Sequence, residues 1–143
     1  MKKFVMALAV VVMMFVLTGC GTEKLTCTQT SKETGMTMNQ KIDATFVNNE
    51  VTDLNIKLDV KLDDSYASYI DTMKDMLEKQ YKTYSDNGGK VDVTTEDKII
   101  HINIFMDAKK MTDKQKKALD MTDVYGTKKA TAKELEKQGF TCK

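Results

Sequence analysis

The sequence predicts an α+β domain: an antiparallel sheet of about five strands with one long helix packed on one face and short C-terminal helices, in the order βββ-α-ββ-α-α. Three observations carry that expectation. Apolar and polar residues alternate from Leu25 to Leu62, the apolar spacing changes to three and four from Tyr66 to Tyr84, and alternation returns from Val91 to Met106. Strands come in runs rather than as strand–helix–strand units, which points to antiparallel pairing.

A short tether, 20–24, leads into the first strand, where Leu25, Cys27 and Gln29 alternate with Thr26, Thr28 and Thr30. Ser31 to Gly35 reads as a turn. Met36, Met38, Ile42, Ala44 and Phe46 keep period two opposite Thr37, Asn39, Lys41, Asp43 and Thr45. Asn48-Asn49 is a tight hairpin turn, because Asn tolerates positive φ. The clearest alternation follows: Leu54, Ile56, Leu58, Val60 and Leu62 face one way, and Asn55, Lys57, Asp59, Lys61 and Asp63 the other. One face is core and the other meets water.

Asp63-Asp64-Ser65 then offers N-cap oxygens. Tyr66, Tyr69, Ile70, Met73, Met76, Leu77, Tyr81 and Tyr84 form the apolar stripe of a helix of about twenty residues. Asp86-Asn87-Gly88-Gly89 stops it. Val91 and Val93 start a strand, Glu96-Asp97 turns, and Ile100, Ile102, Ile104 and Met106 form its partner. Thr112 caps a short Lys-rich helix through Leu119. After a loop around Tyr125-Gly126, Thr131-Ala-Lys-Glu134 matches a capping box; Leu135 faces inward, Gly139 is the residue beyond the helix end, and Phe140 makes the contact after it.

The first residues carry a different signal. Lys2 and Lys3 precede an apolar run, Phe4 to Val16, too short to span a bilayer. It ends in Leu17-Thr18-Gly19-Cys20, which resembles the lipobox of bacterial lipoproteins, Leu-[Ala/Ser/Thr]-[Gly/Ala]-Cys. The resemblance implies a signal peptide over 1–19, a diacylglyceryl thioether on Cys20, and a mature chain that starts there. Two or more acyl chains hold a protein on a bilayer where one does so marginally, at about 0.8 kcal/mol per buried methylene. A single α+β domain over 25–143 follows the tether. The expected location is the extracytoplasmic face of the cell membrane.

All 22 basic residues are Lys, against 21 Asp plus Glu; two Lys leave with the signal, so the mature chain is close to neutral. Nucleic acid is not an expected partner. Without Arg there is no bidentate fork for phosphate or carboxylate.

Cys27 and Cys142 stand near opposite ends of the domain. An extracytoplasmic location permits a disulfide between them, which would close nearly the whole domain and stabilise it by about 4–5 kcal/mol in the chain-entropy model. The alternatives are two free thiols or a redox pair, although neither cysteine has the Cys-x-x-Cys setting of a redox site.

With the lipobox, the first strand "LTCTQT" (Leu25–Thr30), the long helix between two strand runs and the closing "ELEKQGFTCK" (Glu134–Lys143), the chain resembles the YehR-like small bacterial lipoproteins. That family has no known function. The resemblance implies fold and location and brings no catalytic residues.

The chemistry-bearing residues do not assemble into an enzyme. His101 lies between Ile100 and Ile102 and points to their opposite face, so it reads as a solvent-side strand residue rather than a base. Ser31, Ser65, Ser68 and Ser85 have no nucleophile-elbow context. One His and a distant Cys pair cannot supply the usual zinc ligands. Met36, Met38, Met73, Met76, Met106, Met111 and Met121 could offer thioethers to copper, but they coincide with the apolar pattern and read as core. Asp63-Asp64 and Asp120-x-x-Asp123 lack calcium-loop spacing. Tyr66, Tyr69, Tyr81 and Tyr84 sit on the helix's core stripe. No catalytic residue, metal site or cofactor is therefore assigned. The expected function is a non-enzymatic binding or scaffolding protein of the envelope, with the membrane and an envelope protein as partners. The alternative is small-ligand or metal capture in a cleft between helix 65–86 and the sheet.

Overall fold

The computed structural model describes residues 21–119 and 126–143. The signal segment, Cys20, Asp120, Met121, Asp123 and Tyr125 lie outside the described residues. Six antiparallel strands form one open sheet: β1 (Thr22–Glu33), β2 (Met36–Val47), β3 (Glu50–Leu62), β4 (Lys90–Glu96), β5 (Ile99–Asp107) and β6 (Thr141–Cys142), in the spatial order β4-β5-β3-β2-β1-β6. The helices are α1 (Ile70–Asp86), α2 (Asp113–Ala118) and α3 (Lys128–Lys137). The α+β class stands as expected, with six strands where about five were read.

The sixth strand is too short to show a period. It exists because β1 supplies an edge: Cys27 registers with Cys142, and Thr26 and Lys143 exchange both backbone hydrogen bonds, at 3.2 and 2.9 Å. The tether is shorter than expected. Thr22, Glu23 and Lys24 already belong to β1, in register with Val47, Phe46 and Thr45. The first turn shrinks likewise, since β1 runs to Glu33 and leaves Thr34 and Gly35. Gly35 has φ +84°, and the Tyr66 ring occupies the space a Cβ would need there. Asn48 and Asn49 both take positive φ, as a two-residue hairpin turn requires.

Leu25, Cys27, Ile42, Phe46, Leu54, Val60, Leu62, Ile100, Ile102, Ile104 and Met106 are buried on one face of the sheet. Helix α1 lies over β4 and β5, and α3 over β1 and β6, on that same face. The opposite face is Thr, Asn, Lys and Asp from strand to strand.

Two of the three helix starts, those of α1 and α3, differ from their sequence signals. The chain leaves β3 through a 3-10 segment, Asp64–Tyr69, and α1 begins only at Ile70. Asp63 makes no side-chain cap bond, and its carbonyl accepts from Tyr66 N at 2.9 Å instead. Asp64 pairs with Lys98 across the β4–β5 turn. The Thr131–Glu134 pattern is not a cap: α3 begins one turn earlier, where Thr127 accepts from Ala130 N at 3.2 Å, and Thr131 is a buried residue inside the helix. The Thr112 cap stands, completed into a capping box by Gln115.

Candidate binding surface

The helices leave the middle of the core face partly open. In β3 the alternation from Leu54 to Leu62 buries Leu54, Val60 and Leu62, but Ile56 and Leu58 are only half-buried. Across the register, Met36, Met38 and Gln40 of β2 are half-buried too. The cause is spacing. Helix α1 sits on the β4–β5 edge pair and α3 on the β1–β6 edge pair, so β2 and β3 lie between them. The result is a strip of aliphatic and thioether surface on the sheet's central strands.

Helix α1 and the 3-10 segment before it carry further exposed apolar side chains. Tyr69, at the end of the 3-10 segment, and Met76 of α1 are 57% and 60% exposed. Tyr66 is exposed as well. These three were expected in the core stripe. Ile70, Met73, Leu77, Tyr81 and Tyr84 do pack against the core, yet no residue of α1 is fully buried. The Tyr81 and Tyr84 rings are 6.0 Å apart and tilted by 41°, and burial, then Tyr84, pushes the Tyr81 hydroxyl up from its ordinary value.

The opposite face is a network of satisfied polar side chains. Thr26 Oγ1 donates to Asp43 Oδ1 at 2.6 Å, Thr30 Oγ1 to Asn39 Oδ1 at 2.9 Å, and Lys41 pairs with Asp43 at 2.9 Å. Partial burial pushes the Asp43 carboxyl up, but the Thr26 and Lys41 contacts and the Lys57 charge together hold it below its usual 3.8. His101 is on this face, as its strand position required. Its Nδ1 lies 2.6 Å from Asp59 Oδ1, and its Nε2 lies 3.9 Å from Glu96. No described serine or cysteine is bonded to His101, so it has an orienting acid but no nucleophile among the described residues. Phe105, 40% exposed beside Asn55 and Asn103, is an apolar residue on this face, and half-buried Ile99 is another.

Cys27 and Cys142 come together: their sulfur atoms are 1.98 Å apart, across 115 residues of chain. Cys27 is completely buried. Next to them a cavity of about 340 Å³ opens between the start of α3 and β1, lined among others by Glu23, Asn49, Thr127, Lys128 and Lys129. It lies by the short helix rather than the long one, where a cleft was expected. Met106 and Met111 are buried, Met36, Met38 and Met73 half-buried, and Met76 exposed. Among the described residues no three His, Cys, Asp or Glu side chains converge as they would around a metal ion. No helix of the described residues is long and apolar enough to cross a membrane.

The sequence missed the open strip because period two reports which face a side chain takes, not how far a helix reaches over it. A usable signal was the width of the sheet: one long helix cannot roof five or six strands.

No family model matches the chain, and no curated protein does. Two solved structures share its architecture. An NMR structure of the E. coli YehR protein superposes with a TM-score of 0.61, over 85% of this chain and 92% of that one, at 14% identity. The fold is YehR-like. An NMR structure of a protein from Streptococcus pneumoniae TIGR4 superposes with a TM-score of 0.54, over 87% of each chain, also at 14% identity. At that identity the YehR-like likeness is one of fold.

Proposed function

We propose that the chain is a member of the YehR-like lipoproteins and acts as a lipid-anchored, extracytoplasmic binding protein of the bacterial envelope, without catalytic activity. The sequence Leu17-Thr18-Gly19-Cys20 supports the anchor, and the Cys27–Cys142 pair suits an oxidising compartment. The observation that carries the binding reading is the open apolar strip, Met36, Met38, Ile56 and Leu58, on the sheet face that also carries α1 with its exposed Met76. Contiguous apolar surface of this kind marks interaction sites on soluble domains. The polar face is the weaker choice, because its side chains already satisfy one another.

Two measurements test the reading. A photo-crosslinking residue at position 76, in the chain's own cells, should give a discrete adduct, whereas the same residue at position 41 on the polar face should give none. Adducts at 41 and not at 76 would move the site to the other face. For the anchor, the intact mass of protein extracted without reductant should show acyl groups on Cys20 and two hydrogens lost at Cys27–Cys142. A Cys20→Ala chain that stays membrane-bound after signal removal would contradict the anchor.

Small-ligand capture has one observation in its favour, the cavity beside α3. It predicts a ligand-dependent rise in Tm.

A further inference from the structure

Charge is divided along the strand direction. Residues 109–133 carry eight Lys against Asp113, Asp120 and Asp123, whereas residues 59–75 carry five Asp against Lys61 and Lys74. The fold sends the described residues of these segments, 109–119 with 126–133 and 59–75, to opposite ends of the sheet. Strand β1 enters at Thr22, opposite Val47 and beside the Asn48–Asn49 turn. At that end Ala108 N donates to Thr52 O, and Gln115 of α2 packs against Gly88 in the α1–β4 turn. The start of α3 is there too, where Lys128 and Lys129 share a cavity with Glu23 and Asn49. The far end holds Gly35, Asp63, Asp64 and the turn through Lys98.

The basic end is also under-neutralised. Lys110 pairs with Asp107 at 3.0 Å, but Lys109, Lys114, Lys116, Lys117, Lys128 and Lys129 make no ion pair among the described residues.

The position of the anchor decides what faces this end. Thr22 is already hydrogen-bonded strand, two residues after Cys20. Two residues span at most about 7 Å when fully extended. A Cys20 held in a bilayer therefore sets the Thr22 end of the sheet at the headgroup layer, within the roughly 8 Å over which charge acts at physiological salt.

We infer that this lysine-rich end, formed by Lys109–Lys117 and the first turn of α3, docks on the anionic lipid headgroups of the membrane that holds the anchor. The docking is electrostatic and stands the strands away from the bilayer, with the acidic end outward. It gives the acyl chains the second signal that stable peripheral attachment uses. Each lysine near an anionic surface strengthens attachment about fivefold at moderate salt, and added salt removes the effect. The inference rests on the lipid-anchor reading, and its test separates the two.

Protein purified with its lipid from its own membranes is reconstituted on vesicles of phosphatidylcholine alone, or of phosphatidylcholine mixed with phosphatidylglycerol. Flotation with both vesicle types reports the anchor. Amide hydrogen exchange on the floated protein reports the docking. Slowed exchange in 109–117 and 127–133 on the anionic vesicles only, reversed by salt, is the expected result. A variant with Lys116→Gln, Lys117→Gln, Lys128→Gln and Lys129→Gln should float as before and lose the difference. Lys117 and Lys129 are exposed and Lys116 and Lys128 half-buried, and none makes an ion pair among the described residues, so the fold should survive, and unchanged exchange in β2 and β3 checks that it does. Failure to float on neutral vesicles would sink the anchor. Normal flotation with identical exchange on both vesicle types would overturn the docking and leave the anchor standing.

Discussion

Helix α3 has ten residues and buries Thr131 and Leu135; helix α1 has seventeen and buries none. Both end the same way. Gly139 (φ +95°) and Gly88 (φ +90°) each follow a helix end, with the next residue's N–H reaching back to Leu135 O at 3.1 Å in one case and to Tyr84 O at 2.8 Å in the other. The residue after each glycine differs. After α3 it is buried Phe140, which leads into β6 and the Cys27–Cys142 pair; after α1 it is Gly89, which has no side chain to bury. The starts differ too, since Thr127 caps α3 and no side chain caps α1 at Tyr69. Length and an apolar period do not by themselves hold a helix down. Here the hold comes from the cap, the closing aromatic and the covalent link, all of which α3 has. The proposed strip thus lies between one fixed wall and one lightly held wall.

The largest expected effect breaks the fixed wall. Replacing Cys27 and Cys142 by Ser together should cost on the order of 4 kcal/mol in denaturant unfolding. Reductant should lower the wild-type midpoint by the same amount and leave the double variant unmoved. Next, Leu135→Ala should cost about 2–5 kcal/mol, whereas Leu77→Ala, at a half-exposed site, should cost less than half of that. Equal costs would erase the distinction between the helices. A smaller contrast comes from the caps: Thr127→Ala should lose about 1 kcal/mol, while Asp63→Ala, which removes no cap bond, should be nearly silent.

The smallest effect is the pH response of Asp43. Its folded carboxyl is held below 3.8, so the unfolded chain takes up its proton first as pH falls. Its contribution is complete above 3.8 and disappears as pH drops through the lower folded value. Asp43→Asn should flatten that part of the Tm–pH curve, and an unchanged slope would show that the Thr26–Lys41 contacts do not stabilise the fold.

Much of this architecture is legible in the residues. Period two placed Cys27, Phe46, Leu54, Ile102 and Met106 inside, Asn48-Asn49 marked a hairpin, and Gly139-Phe140 marked the end of α3. What stayed hidden depends on neighbours rather than on local pattern. Thr127 and Thr131 are one turn apart and both could cap; burial of Thr131 beneath the helix selects Thr127. Thr22–Lys24 alternates too briefly to read as strand, and only pairing with β2 extends it. Tyr69 and Met76 fit a helical spacing in the sequence, but Tyr69 falls in the 3-10 segment before α1, and no residue of α1 is fully buried over its floor, chiefly the seven-residue edge strand β4 with Val91 and Val93 half-buried.

Native-state hydrogen exchange at low denaturant concentration compares the two walls directly. The α1 amides, 70–86, should exchange through a local opening well below the free energy of global unfolding, while those of α3 and β1 exchange only with it. A common opening free energy for α1 and α3 would contradict the account, and the strip would then be bounded by two fixed walls.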